Sequence, residues 1–431
     1  MSIITPMENL LKNKNILVGV TGSIAIYKAL ELIRLFVKAG ANVRVVMSEE
    51  AKKFVTPLTF EAVSSNAVLH AGSENWSSDL NHIGVGQWAD LFVIAPATAN
   101  TINKLSNGIA DNLLLQSALA YDRVKIIAPA ANTKMYENPV TQASFKMLKL
   151  LNYKVVEPQS KVLVCNVEGK GALAEVSDIF YASCRELLKD EFWENRKVVV
   201  TGGGTIERID SVRYISNFSS GKMAKNLALA LYLKGASVCL LTTKEFDDLP
   251  KEIYQIEIES ADELKEYLID CIRSAKKGVL TKPTLMDDST PILIQKKPYL
   301  FMTAAVSDYS PKFPQEGKLK KEMLGDEWNL VLKKNEDILK SIDKEGIIAI
   351  GFKAEKDEKE ALKNAKEMLL SKNLDAVCLN ILRDENNFGS DLNEIEFVTG
   401  DGVKKLPLKD KLSISFEILE EAKKLDDNGD K

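Results

Sequence analysis

The 431-residue chain carries only two histidines, His70 and His82, and five cysteines, Cys165, Cys184, Cys239, Cys271 and Cys378, none of them in a C-x-x-C pair. So few and so scattered ligands do not make a zinc site. An odd number of distant thiols does not make a disulfide framework either, which leaves a reducing compartment as the expectation. No stretch approaches the roughly 20 apolar residues of a membrane helix, and the opening "MSIITPMENLLKNKN" has no apolar core of signal-peptide length. A cytoplasmic protein is expected. A net charge of −4 offers no bulk attraction to nucleic acid. Two phosphate-binding signatures are also missing. "GVTGSIAIYK" and "TGGGTIE" are not G-x-G-x-x-G, and "SSGKMAK" departs from the P-loop at Ser216 and Met223, which argues against a Walker ATPase.

What is present is ordinary for a folded enzyme-sized chain: 45% hydrophobic and 27% charged residues, at a length that exceeds one compact core. From residue 15 short β-rich runs alternate with helical stretches: "NILVGV", then "SIAIYKALELIRLFVKAG", then "NVRVVMS". In the helical stretch Ile26, Leu30, Ile33 and Val37 recur at helical spacing and Gly40 supplies a stop. "LFVIAPA", "VKIIAPA" and "YKVVEP" read as further buried strands, so the first domain is α/β with a mainly parallel sheet. The logic restarts at about residue 195 with "KVVVTGG", "SVCLLTT", "YLFMTAAVSDY", "IIAIGFKAE" and "DAVCLN". The expected architecture is two Rossmann-like domains, residues 1–190 and 191–431. The segment 275–298, with internal prolines and basic ends, reads as an inserted loop, and the terminal "DDNGDK" as a frayed tail.

Several strand ends carry polar groups with two readings each. Gly19, Gly22 and Ser23 form a strand-to-helix turn suited to a phosphate, or simply a structural turn. "APATANT" ends a strand with small and hydroxyl-bearing residues that would admit a planar ligand, although Thr98 or Asn100 would also serve as a helix cap. Asn132 is either a cap or an amide for a substrate carboxylate. His82, among serine, aspartate and asparagine, is a candidate general base or a loop-packing residue, and His70 reads as structural or surface. Cys165 precedes a glycine-rich stretch that would form a flap; a buried, inert thiol is the alternative. In the second half Asp308 ends a strand and Lys318, Lys320 and Lys321 would neutralise phosphates or lie solvated on a loop.

Taken in order, "TGSIAIYK", "NHI", "PATANT", "PAAN", "CNVEGKG", "TGGGTIERIDSVRYISNFSSGKM", "AAVSDY", "KLKK", "NEDIL", "GFKAE" and "KNLDAVCLN" resemble the bifunctional phosphopantothenoylcysteine decarboxylase and phosphopantothenate–cysteine ligase family of coenzyme A biosynthesis, over nearly the whole chain. For the first domain the resemblance implies flavin mononucleotide (FMN) held by Gly22, Ser23, Ser48, Pro96, Ala97, Thr98 and Asn100. Flavin would oxidise the cysteinyl thiol to a thioaldehyde, an electron sink for decarboxylation, and return a hydride afterwards. His82, Asn132 and Cys165 match the catalytic histidine, the carboxylate-holding asparagine and the proton-donating flap cysteine. For the second domain it implies CTP-dependent amide formation through an acyl cytidylate, with Mg2+ on the phosphates. Lys318 matches the family's essential lysine, Asn217 the asparagine at the acyl intermediate, and Ala304, Asp308, Ile338, Phe352 and Lys372 lie in CTP-binding segments. The partners implied are the small-molecule substrates 4'-phosphopantothenate, cysteine and CTP, with no nucleic acid or membrane, in a homo-oligomer.

Ala131, Ala172, Ala224 and Met368 depart from the family pattern, and so does the 275–298 insertion. Two competing readings use the same residues: another flavin-dependent decarboxylase with a degenerate second domain, and a non-enzymatic nucleotide-sensing protein.

Overall fold

The computed structural model describes residues 8–162, 168–280 and 291–427. One compact unit comprises the described residues up to Leu188 together with Pro291 and Ile292, and the second those from Lys189 to Leu280 and from Leu293 onward. Each is built on its own sheet.

In the first unit five parallel strands, β1 (Asn15–Val20), β2 (Asn42–Met47), β3 (Leu91–Ala97), β4 (Lys125–Pro129) and β5 (Tyr153–Val155), line up in the order β2-β1-β3-β4-β5. Strands β3 and β4 are buried along their whole length, as continuous apolar runs between two helical layers must be. The first crossover helix, α1 (Tyr27–Lys38), buries Ala29, Leu32, Ile33 and Phe36. Of the four residues expected to face inward, Ile26 and Ile33 are buried and Leu30 half-buried, but Val37 is exposed and Phe36 is buried in its place. A 3₁₀ turn at Ile24–Ile26 starts the helix and sets its rotation, and the pattern of a wide apolar arc does not determine which edge of it turns inward. Gly40, at φ +88°, ends the helix as expected.

After β5 the chain forms an antiparallel hairpin, β6 (Gln159–Val162) with β7 (Glu168–Ala172). Cys165, between them, lies outside the described residues.

The main sheet of the second unit has eight strands: β8 (Lys197–Gly202), β9 (Ser237–Thr242), β10 (Tyr254–Glu257), β11 (Tyr299–Met302), β12 (Ile348–Glu355), β13 (Ala376–Ile381), β14 (Leu392–Val398) and β15 (Val403–Asp410). Their order is β10-β9-β8-β11-β12-β13-β14-β15. The first six in that order are parallel and the last two antiparallel. The edge strand β15 exposes every residue but Leu406, including Lys404, Lys405, Pro407 and Lys409. The insertion begins and ends in a short antiparallel pair, Val279–Leu280 with Leu293–Ile294.

The terminal segment is not frayed at its start. A helix runs from Lys411 to Asp427, and Asp426 accepts a hydrogen bond of 2.7 Å from the buried Arg196 guanidinium. Arg196 also donates to the Lys297 carbonyl and stacks on Phe192. Among the described residues no helix is long and apolar enough to cross a membrane.

Both sheets are doubly wound, and the strand orders fix where each reverses. In the first unit the switch lies between β1 and β3, in the second between β8 and β11. Ligands of such sheets bind in the crevice beyond the carboxyl ends at that point.

In the first unit one side chain bridges the switch. The buried Thr21 hydroxyl donates to the Pro96 carbonyl at 2.7 Å and accepts from the Thr98 amide at 3.1 Å. Thr21→Val removes both partners and is expected to destabilise the unit by about 1–3 kcal/mol, with Thr21→Ser recovering most of the loss. The urea midpoint reads this directly; a valine variant that unfolds at the parental midpoint would show that the bridge contributes nothing.

Candidate functional site

At the β1/β3 switch the polar side chains expected to hold a ligand come together. The Ser48 amide donates to the Val20 carbonyl at 3.1 Å, so the end of β2 meets the end of β1. Thr21 then joins β1 to Pro96 and Thr98. Ser23, Ser48 and Thr98 all cap helical turns, accepting from the amides of Ala25, Ala51 and Thr101. A hydroxyl oxygen used this way keeps its hydrogen as a donor, so Ser23 and Ser48 suit phosphate or ring carbonyl oxygens, while the Thr98 hydroxyl also meets the Thr101 hydroxyl at 3.0 Å. Asn100 is exposed beside them, whereas Pro96 and Ala97 are buried. They offer backbone rather than side chain. Gly22 has a packing reason of its own: a Cβ there would lie 2.6 Å from the Glu50 Cβ.

The same edge continues to Asn132. The Ala130 amide donates to the Ala97 carbonyl at 2.9 Å, which carries the end of β4 alongside the end of β3. Asn132 is a cap: its Oδ1 accepts from the Lys134 amide at 3.0 Å and starts the short helix Thr133–Tyr136. The β6–β7 hairpin docks here too, through the Ala131 amide on the Gly171 carbonyl at 3.0 Å. Gly171 has φ +148°, and a Cβ on it would sit 2.3 Å from the Ala131 carbonyl oxygen. The glycine-rich stretch after Cys165 therefore has to be glycine for contact with the Asn132 segment. The departure at Ala131 lies in this docked backbone.

His82 is positioned by its own loop. Buried Asn81 accepts from the amides of Ile83 and Gly84 at 3.1 and 2.9 Å and starts the short helix Gly84–Trp88. His82 Nδ1 faces Glu74 Oε1 at 3.0 Å, and Trp76 packs edge-on against the ring with centroids 5.3 Å apart. A carboxylate can only accept, so in the neutral ring Nδ1 carries the hydrogen and Nε2 presents the lone pair. Sequence reasoning singled out His82 but not Glu74. The signal available was an acidic residue in the same polar loop. The other histidine is structural as expected, its Nδ1 accepting from the Gly72 amide at 3.0 Å.

At the β8/β11 switch the second set assembles. The Ala305 amide donates to the Gly203 carbonyl at 2.8 Å and the Ala304 amide to Thr201 Oγ1 at 3.1 Å. Asn217 Nδ2 donates to the Val306 carbonyl at 3.0 Å, bringing the "NFSSGKM" segment to the end of β11. Asn335 then links strand end to helix: its amide donates to the Asp308 carbonyl at 2.8 Å and its Nδ2 to the Ser307 carbonyl at 2.9 Å. Asp337 caps the turn that buries Ile338 and pairs with Lys372 at 2.9 Å. Asn335 thus holds the Asp308 segment and Asp337 the Ile338 turn and Lys372, two residues that sequence reasoning missed although "NEDIL" contains both. Phe352 lies half-buried on β12. The buried Ser307 hydroxyl has no hydrogen-bond partner in the structure, a polar atom suited to a ligand at this edge. Met368, where a second lysine was expected, packs against the apolar cores on both sides of its helix and meets Gly351. It acts as core.

Lys318 and Lys320 are exposed, yet their loop is fixed. The buried Asp210 carboxylate accepts from the amides of Val212 at 2.8 Å, Arg213 at 2.7 Å and Leu319 at 3.2 Å. The Arg213 guanidinium pairs with it at 3.1 Å and also donates to the Leu319 carbonyl. Burial alone would push the Asp210 carboxyl up, but the three amides and the guanidinium hold it below the ordinary aspartate value. Among the described residues no three histidine, cysteine, aspartate or glutamate side chains converge as a metal cage.

Comparison with known proteins covers both units. The sequence model of the Flavoprotein family matches residues 4–188, and that of the DNA/pantothenate metabolism flavoprotein C-terminal domain matches residues 193–282 and 285–425. The coenzyme A biosynthesis bifunctional protein CoaBC of Bacillus subtilis is 38% identical over 420 residues, 96% of this chain and 97% of its own. The protein of the same name from Borreliella burgdorferi is 34% identical over 414 residues, 95% and 98% of the two chains. The solved structure of the C-terminal domain of a CoaBC protein is 26% identical and covers 55% of this chain and 97% of its own, with a TM-score of 0.41.

Two outcomes test this geometry. With only two histidines, ¹⁵N NMR at high pH should assign His82 as the Nδ1–H tautomer; Glu74→Leu should shift it towards Nε2–H, and an unchanged tautomer would remove Glu74 as its determinant. Asp210, with its folded pKa below its unfolded value, contributes stability above the unfolded value of about 4 and loses it as pH falls through the folded pKa. Asp210→Asn should therefore lower the protection of the Leu319 amide, measured against its intrinsic exchange rate at each pH, several-fold at pH 6 while leaving that protection almost insensitive to acid, whereas in the parent protein the protection falls in an acid-dependent step.

Proposed function

The chain belongs to the family of bifunctional coenzyme A biosynthesis proteins, and we infer from that membership and from the two switch-point clusters how its work is divided. It joins 4'-phosphopantothenate to cysteine and decarboxylates the phosphopantothenoylcysteine formed, giving 4'-phosphopantetheine. Ligation is assigned to the C-terminal half, from residue 191, and decarboxylation to the N-terminal half, residues 1–190. Relatives matched along their full length, including the second half, favour this reading over a degenerate second domain or a sensor.

FMN, when bound in the first unit, supplies two-electron oxidation of the cysteinyl thiol, which makes loss of CO2 feasible, and returns the electrons afterwards. The Ser23, Ser48 and Thr98 hydroxyls, the Asn100 amide and the backbone at Gly22, Pro96 and Ala97 would hold it. Asn132, its Oδ1 committed to the cap, would donate through Nδ2 to the substrate carboxylate. His82 would accept a proton at Nε2, with Glu74 fixing the ring. Cys165 would donate a proton to the decarboxylated product.

In the second unit the carboxylate of 4'-phosphopantothenate would attack the α-phosphate of CTP, releasing pyrophosphate. The cysteine amine would then displace CMP from the acyl cytidylate. Lys318 and its neighbours on the pinned loop would carry charge to the phosphates, and Asn217 would donate to the acyl intermediate. Ala304, Asp308, Ile338, Phe352 and Lys372 would enclose the nucleotide. Mg2+ would arrive on the triphosphate, in keeping with the absence of a protein cage among the described residues. Small-molecule substrates, a homo-oligomeric assembly and a cytoplasmic location complete the proposal.

The observation that supports this reading is that Ser23, Ser48, Thr98 and Asn132 lie along the carboxyl ends of the first sheet, and Ala304, Asp308 and Asn217 along those of the second, beside the point where each strand order reverses. His82→Asn should lower CO2 release from phosphopantothenoylcysteine by about 10²–10⁴-fold while leaving CTP-dependent ligation intact. Lys318→Gln should lower ligation by about 10²–10³-fold and leave decarboxylation of supplied phosphopantothenoylcysteine intact. Mass spectrometry of both products separates the outcomes. Parental decarboxylation by His82→Asn would overturn the base assignment, and loss of both activities in either variant would overturn the division of labour.

A further inference from the structure

Four cysteines lie among the described residues, and their settings divide them. Cys184 and Cys378 are fully buried, and burial pushes both thiols up, so they are shielded and poorly ionised. Cys239 and Cys271 are half-buried and face each other, Sγ to Sγ, at 3.4 Å. Cys239 stands in β9, between Val199 of β8 and Tyr254 of β10, and Cys271 stands in the helix Ala261–Ala275 that packs over that sheet. The role assigned to the second unit uses neither thiol.

We propose that Cys239 and Cys271 form a redox modification site, a dithiol that reacts with hydroperoxides and closes to a disulfide tying the helix Ala261–Ala275 to strand β9. A disulfide bond of about 2.05 Å requires the sulfurs to approach by about 1.3 Å, a movement within reach of side-chain rotation. The two thiols differ in character. The hydrogen bond shared with Cys239 holds the Cys271 thiol below its ordinary range, against burial and the neighbouring Asp270 carboxylate. Cys239 is pushed up by the same bond and by burial, despite the nearby Lys197. Cys271 is therefore the attacking sulfur and Cys239 the resolving one.

The chemistry balances with the hydroperoxide as the sole oxidant. Cys271 thiolate attacks the terminal peroxide oxygen, the O–O bond breaks, and the alkoxide takes a proton to leave as alcohol, with Cys271 as sulfenic acid. Cys239 sulfur then attacks the Cys271 sulfur and expels hydroxide, which takes the Cys239 proton and leaves as water. Two thiols lose two electrons and one peroxide gains them.

The helix that would be tied is already held at its other end, where the Ala261 amide donates to Glu207 Oε1 at 3.0 Å. Glu207 follows the glycine turn of β8 at the switch point. A disulfide would fix the far end of the same helix, without involving any residue assigned to the reaction.

The test uses the full-length protein, reduced, desalted and treated with equimolar hydrogen peroxide, then alkylated and mapped without reduction. The expected result is a peptide linked between positions 239 and 271, two hydrogens lighter and reversed by dithiothreitol. Cys239→Ser should leave Cys271 as a sulfenic acid trapped by dimedone, and Cys271→Ser should leave Cys239 alkylated. Thermal unfolding should shift upward on oxidation in the parent and not in either variant. Recovery of both residues fully alkylated after peroxide, or either one linked to another cysteine, overturns the proposal.

Discussion

A parallel strand cannot be reached from its neighbour by a tight turn, so each one needs a crossover on one face of the sheet or the other. Where successive crossovers change face, the ends of two adjacent strands are left without a helix between them. That constraint operates twice here, between β1 and β3 and between β8 and β11. The strand-end residues assigned to ligand binding follow from it. The turn after β1, the "PATANT" segment and the Asn132 cap are edge pieces of one opening. The glycine turn after β8, the end of β11 and the Asn335–Asp337 turn are edge pieces of the other.

The two ends of these sheets carry different burdens. Polar groups at the carboxyl ends, such as Thr21 and Thr201, join neighbouring strands by hydrogen bonds while hydroxyls around them face outward. The amino ends hold buried groups that serve packing. Lys125 begins β4 with its ammonium over the rings of Tyr121 and Tyr153, and burial pushes its pKa down to about 8. Arg196, just ahead of β8, gathers carbonyls, a carboxylate and aromatic rings around one guanidinium. A charge in such a place is tolerated because each face of it meets a partner.

Much of this was legible in the sequence because strands and glycine stops are local signals. "LFVIAPA" and "VKIIAPA" become strands buried on both sides, and Gly40 ends its helix. The motif order also led to the family. What the sequence did not disclose depends on distance along the chain. Asp210 and Leu319 are 109 residues apart, and no local pattern says that the carboxylate of one fixes the amide of the other. The partnership of Cys239 with Cys271 is hidden in the same way, since one lies on a strand and the other on a helix. At α1 the face was read correctly at Ile26 and Ile33 and missed only at its edge, where Phe36 rather than Val37 is buried: a broad apolar arc fixes the helix but leaves its inward edge to the turn that precedes it. Glu74 was visible in the sequence, and only the folded loop shows that it meets the His82 ring.

The last strand of the second sheet has one more consequence. A free sheet edge presents unpaired amides and carbonyls, and any extended chain can add to it. In β15 the row is interrupted by Pro407, which has no amide hydrogen, and flanked by Lys404, Lys405 and Lys409, of which Lys405 is drawn back to Glu396 on the neighbouring strand. A second copy approaching in register would bring lysine against lysine. The edge therefore resists addition of a further strand, and crowding of many copies does not by that route become fibre growth.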